Sequence, residues 1–556
     1  MGGSNSVHPG RSTVRTLAEL IDHLDDDRGG TQLVFPETGE RLLHREIPER
    51  AWGVADSLGR LGVADGVLVG LLIGSVPEFL PAAFGVWAAG GAVTVIPVPP
   101  VPAAPSAVAA GLAPMLDGVR HLLVAEAYEE IARELHALRP DLAVLAVRDC
   151  APAAVRPASS VVRPTSPAIV QFTSGSTARP KGVVLSHRAV LACFAATAVA
   201  STVNPDDIVV SWVPLFHDFG LITLLFGIWQ GYEHHLFSAW RFIRRPREVI
   251  EHVSACRATV FGGPNFAYDR IAAAYSDNSL LGGLDLSSWR LALNGGEPVK
   301  PGTVNDIARA LGPAGLAATA MLPVYGMAEA VMSVACPQPG TPPKVAWLDR
   351  ESLAQHRRAV VVPEGTDHGT GLVCVGHAVP DMELRLRDEH GRDVLDGEVG
   401  EIVLRGPSLA DGYFDTPGSP AGPLLRGGWL HTGDLGVRLD GELYIAGRAK
   451  DMVIVAGRNF FAEDVEDVVR AGMPGGHGRC VAVADHDRER VVVVAETDDL
   501  ATAADLSVRL RALVSSRLDL GAVDVHVVPR NTLPRTTSGK WQRALTARYL
   551  RELVKP

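Results

Sequence analysis

The stretch QFTSGSTARPKG, residues Gln171–Gly182, directly follows the apolar residues Ala168–Val170. The apolar run predicts a buried strand, and the glycine and hydroxyl residues after it predict a flexible polar loop. Such a loop can turn backbone N–H groups and hydroxyls towards phosphate oxygens, and Lys181 adds a positive charge. The spacing is not that of a Walker A motif, because Lys181 precedes Gly182. By itself, the stretch is either a phosphate-binding loop or a solvent-exposed turn.

Short β-branched runs alternate with helical patterns over much of the chain. The sequence predicts a helix at Leu17–Leu24 and strands at Val67–Ile73, Val93–Val98, Ile169–Thr173 and Ile208–Val213. Because helices separate the strands, these patterns predict an α/β fold with parallel sheets in layered αβα sub-domains.

The pattern changes after about residue 372. The stretches Leu384–Leu404 and Trp429–Val455 contain Asp-Gly pairs at Asp396–Gly397 and Asp440–Gly441. Asp-Gly pairs between strands favour hairpin turns, so we expect a small antiparallel β sub-domain here.

The final part of the chain has the pattern of a separate α+β unit. Strands are predicted near Val481–Ala484 and Arg490–Glu496, and a helix at Ala503–Leu518. A unit of about 110 residues is small enough to move as a lid. We therefore expect a large domain over residues 1–446 and a small mobile domain over residues 447–556.

Composition excludes several classes of protein. A length of 556 residues indicates more than one domain. The 52 basic and 63 acidic residues give a net charge of −11, which argues against a nucleic-acid partner.

The apolar region Leu80–Val101 is broken by glycines and prolines and does not resemble a membrane span. No signal-peptide pattern begins the sequence, so we expect a soluble cytoplasmic protein.

The cysteines show no zinc-binding spacing, and we expect reduced thiols in the core. They are Cys150, Cys193, Cys256, Cys336, Cys374 and Cys480.

The opening stretch resembles the phosphate-binding loop of the adenylate-forming superfamily, which includes acyl-CoA synthetases, peptide-synthetase adenylation domains and luciferases. The family pattern S/T-S-G-S/T-T-G-x-P-K-G corresponds to Thr173–Gly182, with Ala178 in place of a glycine. The resemblance implies that the β- and γ-phosphates of ATP bind to Thr173, Ser174, Gly175, Ser176, Thr177 and Lys181.

Two further motifs follow in the family's order. YGMAEA, residues Tyr325–Ala330, resembles the YGxTE motif, which implies that Tyr325 stacks on adenine and Glu329 holds Mg²⁺. Ala328 replaces the usual threonine of that motif. NGGEP, residues Asn294–Pro298, resembles the stretch that lines the adenine and acyl pockets. The remaining nucleotide contacts implied by these two motifs are Asn294, Gly295, Gly296, Glu297, Gly326, Met327 and Ala328.

The last three motifs approach the end of the chain. HTGDLG implies that Asp434 binds the ribose hydroxyls, and GRAKD supplies Arg448 as a second ribose contact and Lys450 as the hinge. LPRTTSGKWQR contains Lys540 at the position of the family's catalytic lysine, which bridges the substrate carboxylate and the α-phosphate. This lysine lies about 90 residues beyond the hinge, within the predicted small domain. The resemblance implies that this domain rotates between two half-reactions.

Three stretches resemble the fatty acyl-AMP ligases in particular. WVPLFHDFGLI, residues Trp212–Ile222, is similar to their PLFHDMGLI stretch and makes His217 the aromatic gate. Residues 337–371 resemble their insertion. VIVAGRNFFAEDVE, residues Val453–Glu466, is similar to their GRNxYPxDIE stretch. In this chain, Arg458 and the two phenylalanines that follow Asn459 would crowd a path built for CoA.

The acyl pocket is predicted from the residues around the gate, and it lacks an acid that would pair with a substrate amine. Its predicted lining is Phe216, Leu221, Phe261, Gly262 and Pro264. A metal site formed by His217 and Asp218 with residues 233–235 is disfavoured, because the i, i+4 spacing of helical ligands is absent.

The resemblance implies ATP- and Mg²⁺-dependent activation of a fatty or other bulky apolar acid to acyl-AMP, followed by transfer to a phosphopantetheine thiol. The acceptor is an acyl carrier protein or CoA, and the alternative that uses free CoA is an acyl-CoA ligase. A degenerate acyl-nucleotide binding protein is the other alternative, because Ala178 and Ala328 depart from the motifs. Retention of Glu329, Asp434 and Lys540 argues against it.

Overall fold

The computed structural model describes residues 13–24, 31–98, 103–157, 162–173, 181–414, 424–455, 457–473, 478–485, 490–534 and 541–553. The helices in these ranges are α1 (Leu17–Leu20), α2 (Ile47–Arg60), α3 (Phe79–Ala88), α4 (Pro105–Leu112), α5 (Glu129–Leu138), α6 (His187–Ser201), α7 (Asp218–Gln230), α8 (Ala239–Arg244), α9 (Pro246–Ala255), α10 (Asn265–Ala274), α11 (Pro301–Leu311), α12 (Arg350–Gln355), α13 (Ala462–Gly472), α14 (Ala503–Leu518) and α15 (Arg543–Leu553). Among these described helices, none combines the length and apolar character needed to cross a bilayer.

The strands in the same ranges are β1 (Gln32–Phe35), β2 (Glu40–Leu43), β3 (Leu68–Leu72), β4 (Ala92–Val95), β5 (His121–Val124), β6 (Ala143–Ala146), β7 (Pro167–Thr173), β8 (Lys181–Ser186), β9 (Ile208–Ser211), β10 (Glu233–Leu236), β11 (Val260–Gly263), β12 (Leu291–Asn294), β13 (Met321–Pro323), β14 (Tyr325–Gly326), β15 (Ser333–Cys336), β16 (Val345–Asp349), β17 (Gly369–Ala378), β18 (Glu383–Arg387), β19 (Val399–Arg405), β20 (Gly412–Phe414), β21 (Leu425–Arg426), β22 (Trp429–Leu439), β23 (Glu442–Arg448), β24 (Met452–Val455), β25 (Arg458–Phe461), β26 (Cys480–Asp485), β27 (Arg490–Thr497) and β28 (Val523–Pro529).

Two mainly parallel sheets form the layered part of the fold. Their strand orders are β13-β12-β11-β9-β10-β1-β2 and β20-β8-β7-β4-β3-β5-β6. Helix α3 is apolar on every side and every one of its residues is buried, as expected of a helix enclosed by other layers. One hydrophobic cluster joins α2, α3, α6 and α7 to strands of both sheets. The predicted α/β fold with parallel, layered sheets is confirmed.

A third sheet contains nine strands, with the central order β14-β15-β17-β23-β22-β19-β18, and all its pairings are antiparallel. Asp440 and Gly441 form the two-residue turn between β22 and β23, with φ of 51° and 80°. Positive φ at both positions is the type I′ geometry that the Asp-Gly pair predicts.

The hairpin predicted at Asp396–Gly397 is wrong in its position. Strand β18 ends at Arg387 and β19 begins only at Val399, so this Asp-Gly pair lies at the end of a longer connection. The chain instead reverses at residues 388–392, where the Asp388 carboxylate accepts hydrogen bonds from the N–H groups of His390 and Arg392, both within 2.9 Å. The local hydrogen bonds of Asp388 set the turn before the Asp-Gly pair is reached.

The elements after β23 form smaller sheets. Strands β24 and β25 make a hairpin, and β26, β27 and β28 form a three-stranded sheet covered by α13 and α14. These elements share a hydrophobic cluster that runs from Val453 to Val525. The predicted helix at Ala503–Leu518 is confirmed, because α14 begins and ends at these two residues. A domain boundary at Gly447 stays a prediction, and it falls inside β23.

The segment at residues 337–371 packs against the small sheets. It contributes β16 and α12, and Gln355 at the end of α12 donates a hydrogen bond to the Asn459 carbonyl at 2.8 Å. The Thr370 hydroxyl donates to the Asp464 carboxylate at 2.8 Å, and Arg350 lies 3.6 Å from the same carboxylate. The contacts fix the orientation of α13 relative to the third sheet in this structure.

Candidate active site

A large cleft of about 2220 Å³ opens between the three large sheets and the small C-terminal sheets. It brings together most of the described residues that the sequence predicted for the site. Those that line it are Thr173, Lys181, Phe216, His217, Gly295, Gly296, Glu297, Tyr325, Gly326, Met327, Ala328, Glu329, Asp434, Arg448 and Lys450.

Sheet topology explains why distant motifs meet in this cleft. Strands β9, β12 and β13 are parallel members of one sheet, and the motif residues follow each strand at its carboxyl end. The carboxyl ends of parallel strands lie at one edge of a sheet, where α/β proteins commonly bind ligands. His217 follows β9, Gly295 follows β12, and Tyr325 follows β13 within a few residues.

Thr173 and Lys181 face each other where β7 and β8 pair in antiparallel register. The loop between them carries the predicted phosphate contacts Ser174, Gly175, Ser176 and Thr177. These four residues, and Ala178, lie outside the described residues. The strand pairing brings together Thr173 and Lys181, the two residues that flank that loop.

Asp434 is the central polar group of one wall. The Arg448 guanidinium donates to one of its carboxylate oxygens at 2.6 Å, and the Tyr325 hydroxyl donates to the other at 2.7 Å. The Asp434 side chain is 8% exposed and the Arg448 side chain is 46% exposed, so the pair is buried on one side only. Burial, and then the Asp434 charge, raise the pKa of Tyr325 well above its usual value.

Strand register produces this arrangement. Asp434 in β22 and Arg448 in β23 are directly paired across the hairpin that Asp440 and Gly441 close. Directly paired residues on one face of an antiparallel pair lie within contact distance, so opposite charges at these positions attract. The arrangement gives a buried carboxylate and a half-exposed guanidinium side by side.

Glu329 lies on a second wall, near Lys181. The Tyr413 hydroxyl donates to the Glu329 carboxylate at 3.2 Å, and the Lys181 ammonium lies 5.2 Å from the centre of the Tyr413 ring. Burial, and then the Glu329 charge, raise the pKa of Tyr413. Tyr413 was not predicted from the sequence, because it reaches the site only through the pairing of β20 with β8.

The backbone beside Glu329 is strained. Val331 has φ of 64° and ψ of −57°, and the Met332 N–H donates to the Ala330 carbonyl at 2.7 Å. This is the rare hand of the γ-turn, which is costly for a β-branched residue. A Cβ atom on Gly326 would lie 1.8 Å from the Met332 carbonyl oxygen, so only glycine fits there. The turn and the glycine together fix where the Glu329 side chain leaves the backbone.

The predicted gate lies at the start of α7. Gln171 in β7 donates to the Phe216 carbonyl at 2.6 Å and ties the gate segment to the strand before the phosphate loop. The rings of Phe216 and His217 are 4.7 Å apart, and both residues line the cleft.

Asp218 bears on the expectation that the pocket lacks an acid able to pair with a substrate amine. It follows the gate residue His217 directly, and it lines the cleft. Its carboxylate accepts the Phe219 N–H at 2.7 Å at the N-terminus of α7, which favours a negative charge. This hydrogen bond gives the acid a structural role at the helix start.

An apolar branch of the cleft enters the hydrophobic core. The buried residues that line it lie in or near strands β9, β10, β11 and β13 and in helix α7. They are Val203, Val209, Phe226, Tyr232, Val260 and Leu322.

The structure does not bring all predicted pocket residues to this wall. Leu221 is buried in a core cluster, because residues at positions 219, 223 and 226 of α7 face the cleft and Leu221 lies on the other side of the helix. Phe261 packs against Phe242 and Trp289 on the opposite face of β11 from Val260, since strand residues alternate.

Two other predicted pocket residues, Gly262 and Pro264, are absent from the cleft lining within the described ranges. Asn265 and Phe266 line the cleft at this point of the chain instead. Asn294 is fully buried behind Gly295, and its amide lies 3.4 Å from the Asn265 side chain. These residues support the wall from behind.

Lys540 lies outside the described residues. Trp541, Gln542 and Arg543, which follow it, line the same cleft. The Arg543 guanidinium contacts Glu466 at 2.9 Å and lies 3.5 Å from Asp451, one residue beyond the predicted hinge Lys450.

Comparisons with known proteins agree with this geometry. A family model described as AMP-binding enzyme matches residues 24–414. The chain is 34% identical over 415 residues to the long-chain-fatty-acid–AMP ligase FadD26 of Mycobacterium marinum, covering 70% of each chain. It is also 34% identical over 403 residues to the medium-chain-fatty-acid–[acyl-carrier-protein] ligase JamA of Moorena producens, covering 68% of this chain and 66% of JamA.

A solved structure from a study of fatty acyl-adenylate ligases of E. coli and L. pneumophila is also similar. It superimposes with a TM-score of 0.89 at 28% identity, covering 98% of this chain and 99% of that one.

Proposed function

Because the chain belongs to the AMP-binding enzyme family, we propose that it activates an apolar carboxylic acid with ATP and passes the acyl group to a phosphopantetheine thiol. The chain is an AMP-forming ligase. The proposal also specifies which acid the enzyme takes, which residues act and which thiol accepts the product. The main observation that supports the proposal is the shape of the cleft, which joins a polar end, with Lys181, Glu329 and Asp434, to an apolar branch in the core.

The proposed first half-reaction makes a mixed anhydride. A carboxylate oxygen attacks the α-phosphorus of ATP, an O–P bond forms, and the bond between the α-phosphorus and the bridging oxygen breaks to release pyrophosphate. Carboxylate and triphosphate are both negatively charged, so the site must supply positive charge and N–H donors. Lys181 and Arg448 supply positive charge along the described walls, and Lys540 is proposed to bridge the carboxylate and the α-phosphate.

We assign the nucleoside to the wall formed by Asp434, Arg448 and Tyr325. The buried Asp434 carboxylate can accept hydrogen bonds from two ribose hydroxyls if the nucleotide displaces the Tyr325 hydroxyl. Arg448 orients the carboxylate through the 2.6 Å contact. The ring of Tyr325 then remains beside the site for stacking on the base.

Mg²⁺ fits the chemistry of Glu329. Carboxylate oxygens are hard ligands of the kind that Mg²⁺ prefers, and Glu329 lines the cleft near Lys181 with its position set by the Tyr413 hydroxyl. When bound, Mg²⁺ would neutralise phosphate charge. Tyr413 holds the Glu329 carboxylate in place, and the strained turn at Val331 fixes the backbone behind it.

The apolar branch supports a fatty or similarly bulky acid. Its buried lining offers aliphatic and aromatic carbon to an acyl chain, and burying one methylene contributes about 0.8 kcal/mol. The carboxylate end would then lie at the gate formed by Phe216 and His217. The similarity to JamA supports a carrier protein as the acceptor, with free CoA as the alternative.

The test is mass spectrometry for acyl-AMP after mixing the protein with ATP, Mg²⁺ and a panel of acids, without a thiol. The panel contains fatty acids of graded length and, because of Asp218, amino acids. We expect acyl-AMP from fatty acids and none from amino acids. Addition of CoA or of a phosphopantetheinylated carrier protein to the same sample then identifies the acceptor. No adenylate from any acid, together with tight ATP binding, would favour the degenerate binding protein.

A further inference from the structure

A second group of reactive side chains joins β10 to α9, away from the residues that line the cleft. His235 lies in β10, His252 in the last turn of α9, and Cys256 directly after that helix. One donor atom from each side chain lies within 4.8 Å of the other two. His235 is 5% exposed, while His252 and Cys256 are partly exposed, so the group is accessible to a small ion from one side.

The local structure explains why these donors converge. His252 and Cys256 are spaced i, i+4, which places them on the same side of α9. Glu233 and His235 are two residues apart in β10 and therefore share a face of the strand. The His235 Nδ1 atom lies 2.8 Å from His252 Nε2, and His235 Nε2 lies 2.7 Å from a Glu233 carboxylate oxygen.

We propose that His235, His252 and Cys256 bind one Zn²⁺ ion, with water as the fourth ligand. Two imidazole nitrogens and one thiolate are a donor set that zinc prefers, and three protein ligands with water complete a tetrahedron. Glu233 would act on the ion through His235, since a carboxylate on the distal nitrogen fixes the ring orientation and the tautomer. Gln32 holds Glu233 in turn, through a hydrogen bond of 2.9 Å.

Binding changes where the protons of the ligands lie. The ring nitrogen that donates its proton in the contact between His235 Nδ1 and His252 Nε2 loses it to the distal nitrogen of the same ring, so that both nitrogens can bind the ion. The S–H bond of Cys256 breaks, the thiolate bonds to the ion, and that proton leaves to solvent. Arg41 places a positive charge near His235, and the Glu233 carboxylate offsets it.

Zinc would require the donor atoms to move to tetrahedral spacing. Tetrahedral bonds of about 2.0–2.3 Å separate neighbouring donor atoms by roughly 3.3–3.6 Å. The Cys256 sulfur lies within 4.8 Å of both nitrogens, so it must approach by at most roughly 1.2 Å. The two imidazole nitrogens are now 2.8 Å apart, so they must open by about half an ångström. The partly exposed His252 can make that movement by rotating its ring. The i, i+4 pair in HVSAC, residues 252–256, is the sequence signal of this site.

The experiment uses Co²⁺ as a spectroscopic substitute for zinc in the full-length protein. After removal of metal with a chelator, Co²⁺ is titrated into protein at micromolar concentration. We expect one equivalent to produce visible bands of tetrahedral cobalt and a near-ultraviolet thiolate charge-transfer band, and one equivalent of Zn²⁺ to remove both. A wild-type protein that gives neither band would overturn the proposal.

Variants identify the ligands. Cys256→Ser should abolish the charge-transfer band, and His252→Gln should weaken cobalt binding at least tenfold. Cys336→Ser is the matched control, because Cys336 is the other partly exposed thiol among the six cysteines. Thermal melting in chelator shows that each variant is folded, and Zn²⁺ should raise the melting temperature of the wild type and of Cys336→Ser only. A charge-transfer band that persists in Cys256→Ser would refute the assigned thiolate.

Discussion

Substitution of Asp434 by asparagine removes one charge from the proposed ribose site and keeps the side chain's shape. In the structure the carboxylate is 8% exposed and contacts Arg448 at 2.6 Å and Tyr325 at 2.7 Å. An asparagine oxygen can still accept from Arg448, and its amide can donate to the Tyr325 hydroxyl. Because Arg448 is 46% exposed, water screens its unpaired charge and the variant should fold.

The expected effect follows from the hydrogen bonds to ribose. A hydrogen bond to a charged group contributes about 1.5–3 kcal/mol, whereas one between neutral groups contributes about 1 kcal/mol. The difference is about 0.5–2 kcal/mol for each of the two ribose hydroxyls, so we expect a loss of about 1–4 kcal/mol in ATP binding. At about 1.4 kcal/mol per tenfold, the KM for ATP rises roughly 5- to 700-fold. The contact is the same in the ground state and the transition state, so kcat should change little.

Initial rates of pyrophosphate release, with ATP varied at saturating acid, measure this effect. Asp440→Asn is the matched control, because it makes the same substitution at an exposed turn on the same hairpin. We expect wild-type kinetics from the control and an unchanged KM for the acid in Asp434→Asn. An ATP KM within twofold of the wild-type value would refute the placement of ribose at Asp434.

Four other predictions test separate parts of the account. Lys540→Ala should nearly abolish acyl-AMP formation while calorimetry still detects ATP binding; normal turnover would contradict its role. Glu329→Gln should lose Mg²⁺-dependent pyrophosphate release, and an unchanged Mg²⁺ dependence would remove the assignment. Val260→Phe should fill the apolar branch and raise the KM of the longest acids more than tenfold, with the shortest acids as the internal control. Burial lowers the pKa of His187 to about 4 from 6.5, so the unfolded chain binds a proton first as pH falls. About 3 kcal/mol of unfolding free energy should be lost between pH 6.5 and 4, and His187→Asn should flatten that slope in denaturant titrations.

The sequence predicted the features that depend on local chemistry or on motif identity. The turn at Asp440–Gly441 follows from positive φ at two adjacent residues, and α14 follows from its periodicity. Many of the residues that line the cleft were found through motifs, and several of these motifs follow parallel strands at their carboxyl ends. In each case the information is contained in a few consecutive residues.

Features that depend on long-range pairing were not predictable in this way. Tyr413 reaches Glu329 because β20 pairs with β8, more than two hundred residues earlier in the chain. Whether Phe261 or Val260 faces the cleft depends on the sheet's two-sided packing, which one strand's sequence leaves open. Asp218 was not predicted to line the cleft, because the sequence does not show which residues of the gate segment face it.

The central claim is that a carboxylate oxygen of the substrate bonds to the α-phosphorus of ATP. The most direct measurement uses a fatty acid labelled with oxygen-18 in both carboxyl oxygens, with ATP, Mg²⁺ and hydroxylamine to capture the acyl group. Attack at the α-phosphorus predicts that mass spectrometry finds one labelled oxygen in AMP, one in the acyl hydroxamate and none in pyrophosphate. Acyl hydroxamate formed together with unlabelled AMP would contradict the account, because the acid would then have been activated at another atom.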